Sequence, residues 1–143
     1  MNLFDVNVLV NAYRADAEHH DPCRAFLESA VSSPDAFGLT SIVLSGFLRV
    51  VTHPRVFKTP SPLSDALEFA DTLRNQPPAE AVEPRQRHWD IFTALAEEVA
   101  AQGNLIPDAY LAAIAIESGS TWVSTDRDFA RFSGLRWINP LTA

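Results

Sequence analysis

The stretch PDAYLAAIAIESGSTWVSTDRDFARF, residues 107–132, changes its hydrophobic pattern twice. Residues 107–118 open on proline, a natural first-turn residue, run apolar like a buried helix, and meet a stop at Gly119. Residues 121–124 are too short and too apolar for a second helix, so they read as a buried strand. Thr125, Asp126 and Asp128 follow, and DFARF starts a short helix. Helix, strand and helix in that order predict a parallel sheet with helical crossovers.

The same alternation continues outward. Strands are expected near residues 2–5, 36–40, 80–83, 121–124 and 135–138. Arg24, Phe26, Leu27 and Ala30 mark a helix after Asp21-Pro22, while SIVLSGFLRVV (41–51) is apolar enough to lie largely inside. Leu63, Leu67, Phe69, Ala70 and Leu73 place a further helix after Ser61-Pro62. Trp89, Phe92, Leu95, Ala96 and Val99 do so over 87–101, with Gly103 as the stop. HPRVFKTPSP (53–62) carries three prolines and reads as an exposed connector. No repeat or linker interrupts the pattern. The expected architecture is therefore one doubly wound α/β domain over residues 1–143, a central parallel sheet flanked by helices.

Composition narrows the function. The chain has 143 residues, 47% hydrophobic and 20% charged, the balance of a globular domain able to bury one core. Its single cysteine, Cys23, excludes an internal disulfide and a cysteine-based zinc site, and reads as a small buried residue in a reducing compartment. No basic residue precedes Arg14, so a secretory leader is not expected, and no apolar run approaches the ~18 residues of a membrane span. A cytoplasmic protein without membrane contact is the expectation. A net charge of -7 argues against a broad electrostatic grip on a polyanion. Any such partner must be held by local basic groups or by bound cations.

Residues that close different parallel strands converge on one edge of the sheet. Asp5 closes the first strand and Asn7 starts the first helix; Asp126 follows the strand 121–124, with Asp128 two residues on. Asp108 lies in the first turn of the helix that feeds that strand, on the same edge. Each acid alone has an ordinary helix-end role, and Thr125 to Asp128 fits a capping box. Ser, Thr or Asn would serve as well at such ends, so it is the joint placement of aspartates that points to a site. Clustered carboxylates need counter-charge, and an oxygen-only ligand set suits Mg²⁺ or Mn²⁺ rather than zinc.

These segments resemble the PIN-domain nucleases, most closely the VapC-type toxins of toxin-antitoxin pairs. FDVNVLV, LIPDAYLAAIAIESG and WVSTDRDFARF occur in the family's order, and the likeness runs from residue 2 to about residue 138. The resemblance implies a PIN-like three-layer fold and a Mg²⁺- or Mn²⁺-dependent endoribonuclease acting on structured RNA such as tRNA or rRNA. It implies that Asp5, Asp108 and Asp126 hold the metal, with Asp128 a supporting acid, and Asn7 and Thr125 polar neighbours. It also implies a VapB-type antitoxin, whose tail inserts a basic residue among the carboxylates, and a homodimer. The helices 41–51 and 62–75 offer an apolar face for that dimer. Two positions depart from the family: SGFLR has Gly46 where a Glu commonly stands three residues before an arginine, and Val6 replaces a hydroxyl residue.

The reaction implied is metal-assisted phosphodiester hydrolysis. Arg49, Arg55 and Lys58 are candidate phosphate contacts near the connector, and Phe57 a candidate stacking face. A haloacid-type phosphatase or a phospho-receiver would need a lysine that Lys58 does not supply, and the histidines lack metal-ligand spacing. His19 and His20 read as a solvated helix entrance. The competing reading is a PIN-like domain that binds RNA or its antitoxin without cutting, because Gly46 leaves the metal site incomplete.

Overall fold

The computed structural model describes residues 1–143. Its centre is one five-stranded sheet, β1 (Asn2–Phe4), β2 (Phe37–Leu39), β3 (Ala79–Ala81), β4 (Thr121–Val123) and β5 (Arg136–Ile138), with every neighbouring pair parallel. The strand order is β3-β2-β1-β4-β5. Each strand is only three residues long, and each lies within two residues of its expected bounds. β1, β2 and β4 are almost wholly buried, as a sheet covered on both faces requires.

Helices α1 (Val6–Tyr13) and α2 (His20–Ser32) lead from β1 to β2, and α3 (Ser41–Val51) and α4 (Leu63–Arg74) lead from β2 to β3. Both crossovers step the same way across the sheet, so right-handed connections stack these four helices on one face, where α1 packs on α2 and α3, and α3 on α4. Tyr13, Phe47 and Phe69 lock that layer, with ring centroids 4.9–5.4 Å apart. The return crossover from β3 to β4 carries α5 (His88–Glu98) and α6 (Leu105–Glu117) to the other face. α6 buries Ala109, Ala112, Ala113 and Ala115, small residues that let it lie close to the sheet, together with the larger Ile114. A 3-10 helix, Arg127–Arg131, closes the layer through Trp122 and Phe129.

Helix ends refine the sequence reading. α6 begins at Leu105, so Pro107 falls within its first turn, and its C-terminus closes at Gly119 as expected, with the Ser120 N–H on the Ala115 carbonyl at 2.8 Å. α5 does not reach residue 101. It stops at Glu98 because Ala100 turns into the left-handed region at φ 51, and the Ala101 N–H donates to the Ala96 carbonyl at 2.9 Å. The same closing motif that glycine makes easily at the end of α6 is here made by alanine.

Candidate active site

β1 and β4 lie side by side, yet the chain leaves them in opposite directions. That reversal opens a crevice at their carboxyl ends, the usual ligand position in such sheets. Asp5 ends β1 and caps α1, with Oδ1 accepting the Val6 N–H at 2.7 Å. Across the crevice, β4 ends at Val123 and Ser124 follows, fully buried. The Ser124 hydroxyl donates to Asp5 Oδ2 at 2.7 Å and accepts from Asn7 Nδ2 at 3.1 Å and from the Asp126 N–H at 3.0 Å. One donor and two acceptor positions are thereby all used. Asn7 Oδ1 in turn accepts the Thr125 N–H at 3.2 Å, tying α1 to the loop after β4.

Above this buried network stand the other acids. Asp108 in the first turn of α6, Asp126 and Asp128 bring carboxylate oxygens within 4.8 Å of one another. The Asp128 N–H donates to Asp126 Oδ1 at 2.9 Å, so Asp126, not Thr125, caps the 3-10 helix. The capping-box reading of Thr125 is thus corrected: Thr125 contributes its backbone N–H to Asn7, while the cap falls one residue later. The only cation paired with the cluster is Arg131, 3.7 Å from Asp128 on the solvent side.

Burial, and after it the neighbouring charge, shows in the proton affinities. Asp5 is pushed up to about 6 by burial, with a small push from Asp126, against the pull of its bonds from Ser124 and Val6. Asp108 is also pushed up to about 6, first by burial and then by Asp126, Asp5 and Asp128. Carboxylates held together at such a cost gain from a cation placed among them. Oxygen donors without any imidazole or thiolate fit a hard divalent ion.

Other expected residues fall elsewhere. Arg49, Arg55 and Lys58 are exposed on the last turn of α3 and the connector behind it, and none forms an ion pair. Phe57 is not a free stacking face, because the Arg14 guanidinium lies over its ring at 4.1 Å. His20 is not merely solvated, since its Nδ1 sits 2.8 Å from the Asn11 carbonyl, whereas Cys23 is buried as expected. Ser124 is the residue that the sequence reading passed over. Its signal was a hydroxyl at the end of an apolar strand, directly before Thr-Asp. Gly46 faces the first turn of α1, where an added Cβ would lie 2.8 Å from Val6 Cγ2.

An α/β crevice at the strand-order reversal, carrying acids from β1, α6 and the loop after β4, meets an independent match: residues 3–135 fit the PIN domain. The chain belongs to the PIN domain family. It is 49% identical over 137 residues to ribonuclease VapC43 of Mycobacterium tuberculosis, covering 96% of this chain and 93% of that protein. It is 41% identical over 140 residues to ribonuclease VapC25 of the same organism, covering 98% and 99%. Among solved structures it is similar in fold to VapBC2 from Rickettsia felis, bound to a DNA fragment from their promoter, with a TM-score of 0.72, 20% identity, and coverage of 96% of this chain and 97% of that one. The α/β PIN-like fold implied by the sequence is therefore the fold observed.

Proposed function

We propose that this chain is the endoribonuclease toxin of a VapBC-type toxin-antitoxin pair, acting in the cytoplasm on structured RNA such as tRNA or rRNA. The observation that carries the reading is the convergence of Asp108, Asp126 and Asp128 above the buried Asp5 at the strand-order reversal. The names of the relatives, ribonucleases at 41–49% identity over nearly the whole chain, support the activity. The solved VapBC2 assembly supports an antitoxin of VapB type as partner.

In this reading Asp5, Asp108 and Asp126 hold Mg²⁺ or Mn²⁺, with Asp128 beside them. The ion, when bound, lowers the pKa of a water and neutralises charge developing on the scissile phosphate. The protein's own part is preorganisation. Ser124 and the Val6 N–H fix both oxygens of Asp5, and Asn7 holds the Thr125 backbone so that Asp126 faces Asp108. Arg49, Arg55 and Lys58 supply phosphate contacts, and their freedom from ion pairs leaves their charge available to RNA. A homodimer would bury the exposed Ile42, Leu63 and Leu67 on α3 and α4. In the antitoxin complex, a basic side chain would replace the cation among the acids.

Purified protein incubated with cellular RNA tests the reading, with Mg²⁺ or Mn²⁺, with chelator, and with Asp5→Ala in parallel. Discrete fragments that vanish with chelator and with the substitution are the expected result. One observation favours a second reading, a domain that binds without cutting: α3 offers no acid, because Gly46 packs on Val6. RNA left whole in every lane, with antitoxin or RNA binding intact, would select it.

A further inference from the structure

Between α5 and α6 the chain makes a short loop, AAQGN (100–104), bent by two residues in the left-handed region, Ala100 at φ 51 and Gly103 at φ 54. Its two amides, Gln102 and Asn104, are exposed. Asn7, Asn11, Gln76 and Asn139 use their side-chain amides in bonds within the chain, whereas those of Gln102 and Asn104 have no partner. For Asn104 this is unexpected, because asparagine is among the best helix caps and Asn104 directly precedes α6. Its backbone angles are already helical, φ -66 and ψ -17, and its side chain caps nothing.

This loop and the 3-10 helix after β4 enclose a hollow of about 350 Å³, at the low end of the range for small-ligand clefts. Ser133 Oγ donates to Glu98 Oε1 at 2.5 Å and ties the two walls together. Val99, Ala100 and Leu105 supply an apolar lining, Gln102 and Asn104 their amides, and Arg131 a guanidinium. Asp128 belongs both to this lining and to the acids of the crevice, so the hollow adjoins the place where a scissile phosphate would lie. An amide carries a donor and an acceptor side by side and matches the edge of a base, adenine foremost. A guanidinium plane stacks on a base face. A phosphate would be poorly served here, because Arg131 is the one cation and it already lies 3.7 Å from Asp128.

We propose that this hollow is a base-recognition subsite: an unpaired RNA base beside the scissile phosphate enters it, Gln102 and Asn104 read its edge, and Arg131 stacks on its face. The acids perform the chemistry, and the α5–α6 loop selects where it falls. The inference rests on the ribonuclease reading and adds the residues that set the sequence cut.

Two measurements test it. In the first, cellular RNA is cut with Mg²⁺ or Mn²⁺ and the fragment ends are sequenced. The parent protein shows a base preference at a position flanking the cut. Gln102→Ala and Asn104→Ala each weaken that discrimination by about tenfold. Neither lowers the melting temperature, since neither side chain is bonded within the protein. Gln86→Ala, an exposed amide before α5, keeps the parent preference and serves as control. In the second, AMP, GMP, CMP and UMP are added in chelator while the side-chain amide resonances of Gln102 and Asn104 are followed. AMP moves both more than UMP does, and ribose 5-phosphate moves neither. The inference is overturned by fragment ends indifferent to the flanking base, by variants that keep the parent preference, or by resonances that respond equally to ribose 5-phosphate, which would make the hollow a phosphate site. Base-dependent shifts with uncut RNA would remove the nuclease reading alone. Cut RNA whose ends are the same in both variants would remove this inference alone, and uncut RNA without shifts would remove both.

Discussion

On the β4 side of the cleft a fully buried hydroxyl, Ser124, joins Asp5, Asn7 and Asp126 through three hydrogen bonds. On the α3 side Gly46 and Val6 meet through bare hydrocarbon. The first wall holds polar groups in one geometry by saturating them, and it accepts two carboxylates, Asp5 and Asp108, that burial first and neighbouring acids second raise to about 6. The second wall contributes shape alone. The difference teaches that one cleft can divide its tasks, with charge and its anchors on one flank and steric closure on the other. A polar residue lost from the first wall strands its partners in a buried site, whereas the second wall responds only to volume.

The largest effect expected from disturbing this division is at Asp126. Asp126→Asn keeps the cap geometry but removes charge facing Asp5 and Asp108, and RNA cleavage should fall by about 10²–10³-fold. The same substitution relieves repulsion, so the metal-free protein should melt higher above pH 7. A variant that loses activity and also melts lower would mean that Asp126 stabilises the wall rather than straining it.

Second in size is pH. Asp5 and Asp108 both rise from an ordinary 3.8 to about 6 in the folded chain, so between those values the folded state keeps protons that the unfolded state has released. Stability without metal should therefore decline as pH climbs through that window, by on the order of 3 kcal/mol from Asp5 alone. Thermal melts in chelator across pH 4 to 8 measure it, and Mg²⁺ or Mn²⁺ should flatten the slope by supplying counter-charge. A slope equally steep with and without cation would count against metal binding at these acids.

Ser124→Ala comes next. It strips the hydroxyl from Asp5 and leaves Asn7 Nδ2 and the Asp126 N–H without that acceptor, a loss of about 1–3 kcal/mol. Because the Ser124 bond pulls the Asp5 pKa down, the variant should also raise it further, visible in the carboxyl chemical shift during titration. The smallest effect tests the apolar wall by its sign. Alanine favours a helix over glycine by about 1 kcal/mol, so Gly46→Ala would stabilise α3 if room existed. The clash with Val6 should reverse that to a net loss of about 1 kcal/mol, removed in the Val6→Ala background.

The sequence by itself determined the alternation of short strands and helices, because β-length apolar runs and helical periods are local patterns that one sheet with crossovers satisfies. It also placed Asp5, Asp108, Asp126 and Asp128 at element ends, since strand ends in a parallel sheet share one edge. What local pattern does not carry is contact between distant residues. Ser124 looked like one more strand residue until β4 paired with β1 and put its hydroxyl on Asp5, 119 positions away in sequence. Phe57 looked free until the connector folded it under Arg14, and the end of α5 depended on Ala100 accepting a backbone angle that composition does not announce. Val6 and Gly46 read as two unrelated departures. Only the packing of α1 on α3 made them one feature, because a missing side chain has meaning only beside the atoms that fill its space.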